Sequence, residues 1–146
     1  MDMLTKPDAA PARLAINVEM DDRSFLFPDG KLLSHLRVSH DGRGEVRFDA
    51  VFVFNETRVD PHLWSIPLEE AREFGRKLID SAYQAKSSHV LSDTTRVAIL
   101  VNTNGFLIQF GDLKEPVELF FGPSVIWRLV HAILRIVDHA SPVVAH

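Results

Sequence analysis

Residues 64–85 read WSIPLEEAREFGRKLIDSAYQA, and residues 119–140 read LFFGPSVIWRLVHAILRIVDHA. Each stretch passes from a strand-like end, through a proline (Pro67, Pro123), into a helical pattern. Apolar side chains that recur every three or four residues lay a single stripe along a helix. Laid over one another with Ala71 on Ile126, the two stripes coincide: Phe74 falls on Leu129, Gly75 on Val130, Leu78 on Ile133, Ile79 on Leu134 and Ala82 on Val137. Almost no identities accompany the match, so it is a shared pattern and not a shared sequence. It predicts strands then a helix, twice over. The expected fold class is α+β: antiparallel sheets with two helices, βββα-βββα-like, with an extra N-terminal strand.

Working outward, the segments before each helix alternate. Ala12, Leu14, Ile16, Val18 and Met20 are apolar between polar Arg13, Asn17 and Glu19, which is the period of a half-buried strand. Ser24–Phe27 predicts a short edge strand ended by the turn Pro28-Asp29-Gly30. Residues 32–39 and 45–54 predict a hairpin around Asp41-Gly42-Arg43-Gly44, with Val46, Phe48, Ala50, Phe52 and Phe54 on one face. The first helix is expected over about 67–86, with Glu69, Glu70 and Glu73 placed to complement its dipole. Ser87–Asp93 reads as a polar linker. Thr95–Val101, Phe106–Phe110 and Val117–Phe121 then predict a three-stranded meander with a turn at Asn104-Gly105, and Gly122-Pro123-Ser124 opens the last helix, to about residue 138. Domain organisation follows: a flexible tail over 1–11, one α+β domain over 12–140 in two pseudo-repeated halves (12–86 and 94–140), and a flexible tail over 141–146.

The two halves differ. The first has one apolar and one charged face. The second meander carries Val97, Ile99, Val101, Phe106, Ile108, Phe110, Val117, Leu119 and Phe121 on one face, and Ala98, Leu100, Leu107 and Phe120 on the other. On the last helix Val125, Ala132 and Ile136 lie outside the expected core stripe. A helix apolar over most of its circumference needs a second surface to bury against. That surplus predicts a homodimer built from the C-terminal half, with Leu100, Leu107, Phe120 and Ile136 at the interface.

Composition bounds the function. The formal net charge of −4 argues against nucleic-acid or anionic-membrane binding by the surface as a whole. There is no cysteine, which excludes disulfides, thiolate metal sites and cysteine nucleophiles, and fits a cytoplasmic setting. The N-terminus lacks the pattern of a secretory signal, and no segment approaches the ~20 apolar residues that cross a membrane. The Asn55-Glu56-Thr57 sequon is therefore not expected to be used. Ten Phe against one Tyr and two Trp read as core material more than as a recognition surface.

Chemistry-bearing motifs are sparse. The seven histidines (His35, His40, His62, His89, His131, His139 and His146) show no metal-ligand spacing. No nucleophile elbow, phosphate loop or dinucleotide fingerprint occurs. Neither cofactor nor metal is implied, and the reading leans away from an enzyme. Two constellations remain. Arg128, His131 and Arg135 line one face of the last helix and could grip a phosphate or an acidic protein partner. His35, Arg37 and Arg47 share the outer face of the first hairpin, where Glu45 and Asp49 can pair with them.

Three functional readings follow. The first is a non-catalytic binding or regulatory module that self-associates. The second rests on element order: strands then helix, repeated over about residues 12–139, is similar in outline to the Whirly family of single-stranded DNA-binding proteins. That resemblance implies a single-stranded nucleic-acid binder, for which Arg37, Arg43, Arg47 and Trp64 are the candidate groove and stacking residues. The family's Lys-Gly-Asn-Lys-Ala signature is absent. The third is a small-ligand carrier or enzyme with a Phe-lined pocket between the half-sheets, its polar group supplied by His62 or His131.

Overall fold

The computed structural model of the chain describes residues 14–27, 30–52, 62–92, 96–111 and 117–140. Alternating side chains become strands where one face can be buried. Nine strands and two helices result among the described residues: β1 (Ala15–Glu19), β2 (Phe25–Phe27), β3 (Lys31–His40), β4 (Glu45–Phe52), β5 (His62–Pro67), α1 (Leu68–Gln84), β6 (Ser88–Leu91), β7 (Arg96–Asn102), β8 (Gly105–Phe110), β9 (Val117–Phe121) and α2 (Ile126–Ala140). A single 3₁₀ turn, Pro123–Val125, leads into α2. The tails expected at 1–11 and 141–146, and the Asn55 sequon, lie outside the described residues.

The α+β class stands, but the strand count differs from two units of three. Five strands precede α1 and four precede α2. They form one curled antiparallel sheet in the order β5-β4-β3-β2-β9-β8-β7-β6. The segment expected as a linker is strand β6, which pairs with β7 from Ser88↔Ile99 to Leu91↔Arg96. Serine hydroxyls stand in for apolar side chains there. Ser88 Oγ meets Ser81 Oγ of α1 at 3.1 Å, and Ser87 Oγ accepts the Val101 N–H at 3.0 Å. The β7–β8 turn is centred one residue before the expected pair. Asn102 faces Gly105, leaving Thr103 and Asn104 in the loop. Gly105 opens β8 because a side chain there would collide with the Phe121 carbonyl.

The two strand systems join through β2, which pairs with β3 on one side and β9 on the other. Strand β1 lies along the same edge of β3 as β2, because the opposite edge of β3 is taken by β4. Between β1 and β2 the chain kinks at Asp21–Ser24. Ser24 is fully buried there, its Oγ donating to Asp21 Oδ1 at 2.8 Å. The kink coincides with a register shift in β3 between Leu33 and His35. A side chain on Gly122 would meet the Asp21 carboxylate and displace it, so the start of the 3₁₀ turn and the kink lie directly against each other.

Both helices pack on the inner face of the sheet. The expected stripe of α1 holds: Ala71, Phe74 and Leu78 are fully buried. The helices touch each other at Gly75, where a Cβ would lie 2.7 Å from Leu134 Cδ2. Close helix approach, not chemistry, accounts for this glycine. The expectation for α2 needs correction. Ile136, placed at a dimer interface by sequence, is 0% exposed within one chain, as are Val125 and Ala132. Helix α2 packs against β1, β3 and β4 and also against α1, so nearly its whole apolar circumference is covered internally.

Candidate functional site

Two surfaces remain once the core is assigned. The first is on the sheet face opposite the helices. Directly opposed residues on neighbouring antiparallel strands share a face. Leu100 faces Leu107, Leu107 faces Phe120, Phe120 faces Phe25, and Phe25 faces Leu32. All five side chains are half-buried and form a continuous apolar row across five strands. The next row along is polar at its centre, where Gln109 Nε2 donates to Glu118 Oε2. Three of the four expected interface residues, Leu100, Leu107 and Phe120, are thus brought together, and Ile136 is separated from them. Phe25 and Leu32 extend the row. By alternation Leu32 is expected on the face of Leu36 and Val38, but the register shift between Leu33 and His35 turns it to the opposite face, and the neighbours across the β2–β9 seam were not legible.

The second surface is the solvent side of α2. Arg128, His131 and Arg135 are all exposed along one helical face, as their spacing demands. Beside them stands Trp127, 46% exposed, with the ring of Tyr83 from α1 (78% exposed) edge-on at 5.4 Å. Neither Trp127 nor Tyr83 is among the site residues expected from the sequence. The available signal was Trp127 one residue from Arg128 and one turn before His131. Arg128 does not hang free: its Nε donates to the Glu19 carbonyl of β1 at 3.0 Å. A shallow groove between β1 and α2 is lined by Ile16, Asn17, Val18, Glu19, Trp127, Arg128 and His131.

The other candidate residues have internal partners. Arg47 Nε donates to both carboxylate oxygens of Asp49 (2.9 and 3.0 Å), Arg37 Nε donates to Asn17 Oδ1 at 3.2 Å, and His35 Nδ1 shares a hydrogen bond with Ser34 Oγ at 2.7 Å. Arg37 lies opposite Asp49 in the ladder, but the Arg47–Asp49 pair runs along β4 itself and the Arg37–Asn17 bond crosses to β1, so partners other than the expected cross-strand ones hold these side chains. Trp64, named as a stacking platform, is instead half-buried against the core. Its indole is stacked between the rings of Phe48 and Phe110, and its Nε1 is buried with no acceptor among the described residues. The side chain of His62 lies outside the described set. Among the described residues no cluster of three or more His, Asp or Glu could hold a metal ion, and no helix is long and apolar enough to cross a membrane.

No family model matches the sequence, and no curated protein matches it. Solved structures do. The fold is similar to that of an SsgA-like sporulation-specific cell division protein from Thermobifida fusca, with a TM-score of 0.51 and 11% sequence identity over 90% of this chain and 83% of that one. SsgB, from a study of mutations that correlate to longitudinal cell division during sporulation of Streptomyces coelicolor, aligns over 94% of this chain and 95% of its own, with a TM-score of 0.46 and 11% identity. At that identity the first likeness is one of fold.

Proposed function

We propose that the chain is a non-catalytic binding or regulatory module that self-associates through its C-terminal half. The single observation that carries this reading is the apolar row Leu100–Leu107–Phe120, continued by Phe25, on the sheet face away from both helices. Large apolar side chains aligned there are covered at least cost by the same row of a second copy, because a two-fold axis makes the patch complementary to itself. The fold shared with an SsgA-like cell division protein supports a regulatory role. A cytoplasmic setting belongs to the same proposal and is supported by the absence of cysteine. The basic face of α2, away from this row, is left for an acidic protein partner.

Sedimentation at micromolar concentration tests the proposal. The unaltered chain is expected to run at twice its 16.5 kDa mass. Leu107→Glu and Phe120→Glu are expected to run as monomers with unchanged far-UV circular dichroism. A monomer for the unaltered chain overturns the reading.

A further inference from the structure

Strand β1 is an edge that the fold leaves open. Its ladder with β3 uses one side only, and among the described residues no strand pairs with the other. Which backbone groups are open follows from parity. The His40 N–H donates to the Leu14 carbonyl, and the Met20 N–H donates to the Ser34 carbonyl. In an antiparallel ladder, residues that exchange hydrogen bonds alternate with residues that do not. Leu14, Ile16, Val18 and Met20 therefore turn their backbone groups toward β3. Ala15, Asn17 and Glu19 turn theirs away. The bond from Arg128 to the Glu19 carbonyl arrives from that far side, in agreement with the parity.

The edge is open because of the Asp21–Ser24 kink. Beyond it, β2 keeps β9 as a neighbour; before it, β1 diverges and faces α2 across the groove. One wall of that groove offers the N–H and C=O groups of Ala15 and Asn17, which no strand among the described residues pairs. The other offers the exposed indole of Trp127 with Arg128 and His131, and Arg135 one turn further on. A strand edge beside a helix is the arrangement in which an added strand gains main-chain hydrogen bonds on one side and side-chain pockets on the other. Trp and Arg are also the residues that most often dominate binding energy at interfaces.

We infer that the β1–α2 groove binds an extended, acidic peptide segment of a partner protein as an additional strand on β1. The segment pairs its backbone with Ala15 and Asn17. It turns an apolar side chain onto Trp127 and sets a carboxylate against the Arg128–His131–Arg135 row. The Glu19 side chain at the groove's end and Asp138 beyond Arg135 confine the acidic residue to the stretch between them. This deepens the binding-module reading and uses a surface separate from the Leu107–Phe120 row.

Proline scanning with hydrogen exchange tests it. A display library of peptides about ten residues long, randomised throughout, is selected on the full chain, and a selected peptide is labelled for anisotropy. Enrichment of alternating apolar and Asp/Glu positions is expected. Binding should weaken about tenfold or more in Asn17→Pro, which removes an outward N–H and spares the β3 ladder, and similarly in Trp127→Ala and Arg128→Ala. The amides of Ala15 and Asn17 should exchange fast in the free protein and slowly with peptide, while Ile16 and Val18 stay slow in both. The inference fails if no peptide is enriched, or if selected peptides bind Asn17→Pro and Trp127→Ala undiminished. It fails equally if the Ala15 and Asn17 amides become protected by raising protein concentration alone, because a second copy then covers the edge. The self-association proposal is read by mass and by Phe120→Glu, so either idea can fail without the other.

Discussion

Asp41 shows how a single side chain sets a turn. Its Oδ1 accepts the backbone N–H groups of Arg43 at 2.6 Å and Glu45 at 3.0 Å, closing the β3–β4 hairpin. Partial burial pushes this carboxyl up, but those two hydrogen bonds, helped by the charges of His40 and Arg43, outweigh it and hold it below the usual carboxylate range. A carboxyl lowered on folding stabilises the fold above its unfolded value and loses that contribution as pH falls through its folded value. Asp41→Asn should therefore lower the melting temperature at neutral pH, with the gap to the unaltered chain closing as the pH falls through and below the ordinary carboxylate range. A gap that widens on acidification would contradict this. Trp64 makes the opposite case. Its buried Nε1–H has no acceptor among the described residues, and such a group costs about 1–3 kcal/mol. Trp64→Phe keeps the stack on Phe48 and sheds that cost. Its denaturant midpoint should match or exceed that of the unaltered chain, whereas Trp64→Ala should lose about 3 kcal/mol.

At the scale of elements, the helices were the most legible parts. The stripe from Ala71 to Leu78 placed α1 within two residues of its ends, because one apolar face on a polar helix has one way to be buried. Strand β6 was not legible. Its four residues offer one buried apolar side chain, Val90, and its packing depends on serine hydroxyls whose partners lie on α1 and β7. The end of α1 also holds an unexpected feature. Ala85 caps it in the left-handed region (φ 54°, ψ 38°), its N–H bonded to the Ser81 carbonyl. That conformation costs a residue with a Cβ about 1–2 kcal/mol, part of which glycine returns through its freer unfolded chain. Ala85→Gly should raise stability by about 0.5–1 kcal/mol in urea titrations. A loss of stability would mean that the cap is not strained.

For the whole molecule, one seam of three residues, Phe25–Phe27 against Glu118–Phe120, carries the sheet from one strand system to the other. A common core ties them more firmly. Trp64 of β5 stacks on Phe110 of β8, and α1 meets α2 at Gly75. Unfolding should therefore be a single transition, with tryptophan fluorescence and far-UV circular dichroism superimposing across guanidinium titrations. Two separated transitions would show that the halves fold independently. The α+β class, both helices, the β3–β4 hairpin and the β7–β9 meander were determined by the sequence alone, because each rests on local periodicity and on turn residues a few positions apart. So was the basic row Arg128–His131–Arg135, because helical spacing by itself puts those residues on one face. Tertiary structure decided the rest. Burial of Ile136 depends on α2 lying between the sheet and α1, and the position of Trp64 on a sheet curled far enough to bring β5 to β8. The Leu100–Leu107–Phe120–Phe25 row depends on β2 meeting β9. The open edge of β1 depends on a kink at Asp21–Ser24 that opposes a register shift in a different strand. These are pairings between residues far apart in the chain, and periodicity along a chain carries no information about which distant strand will lie beside it.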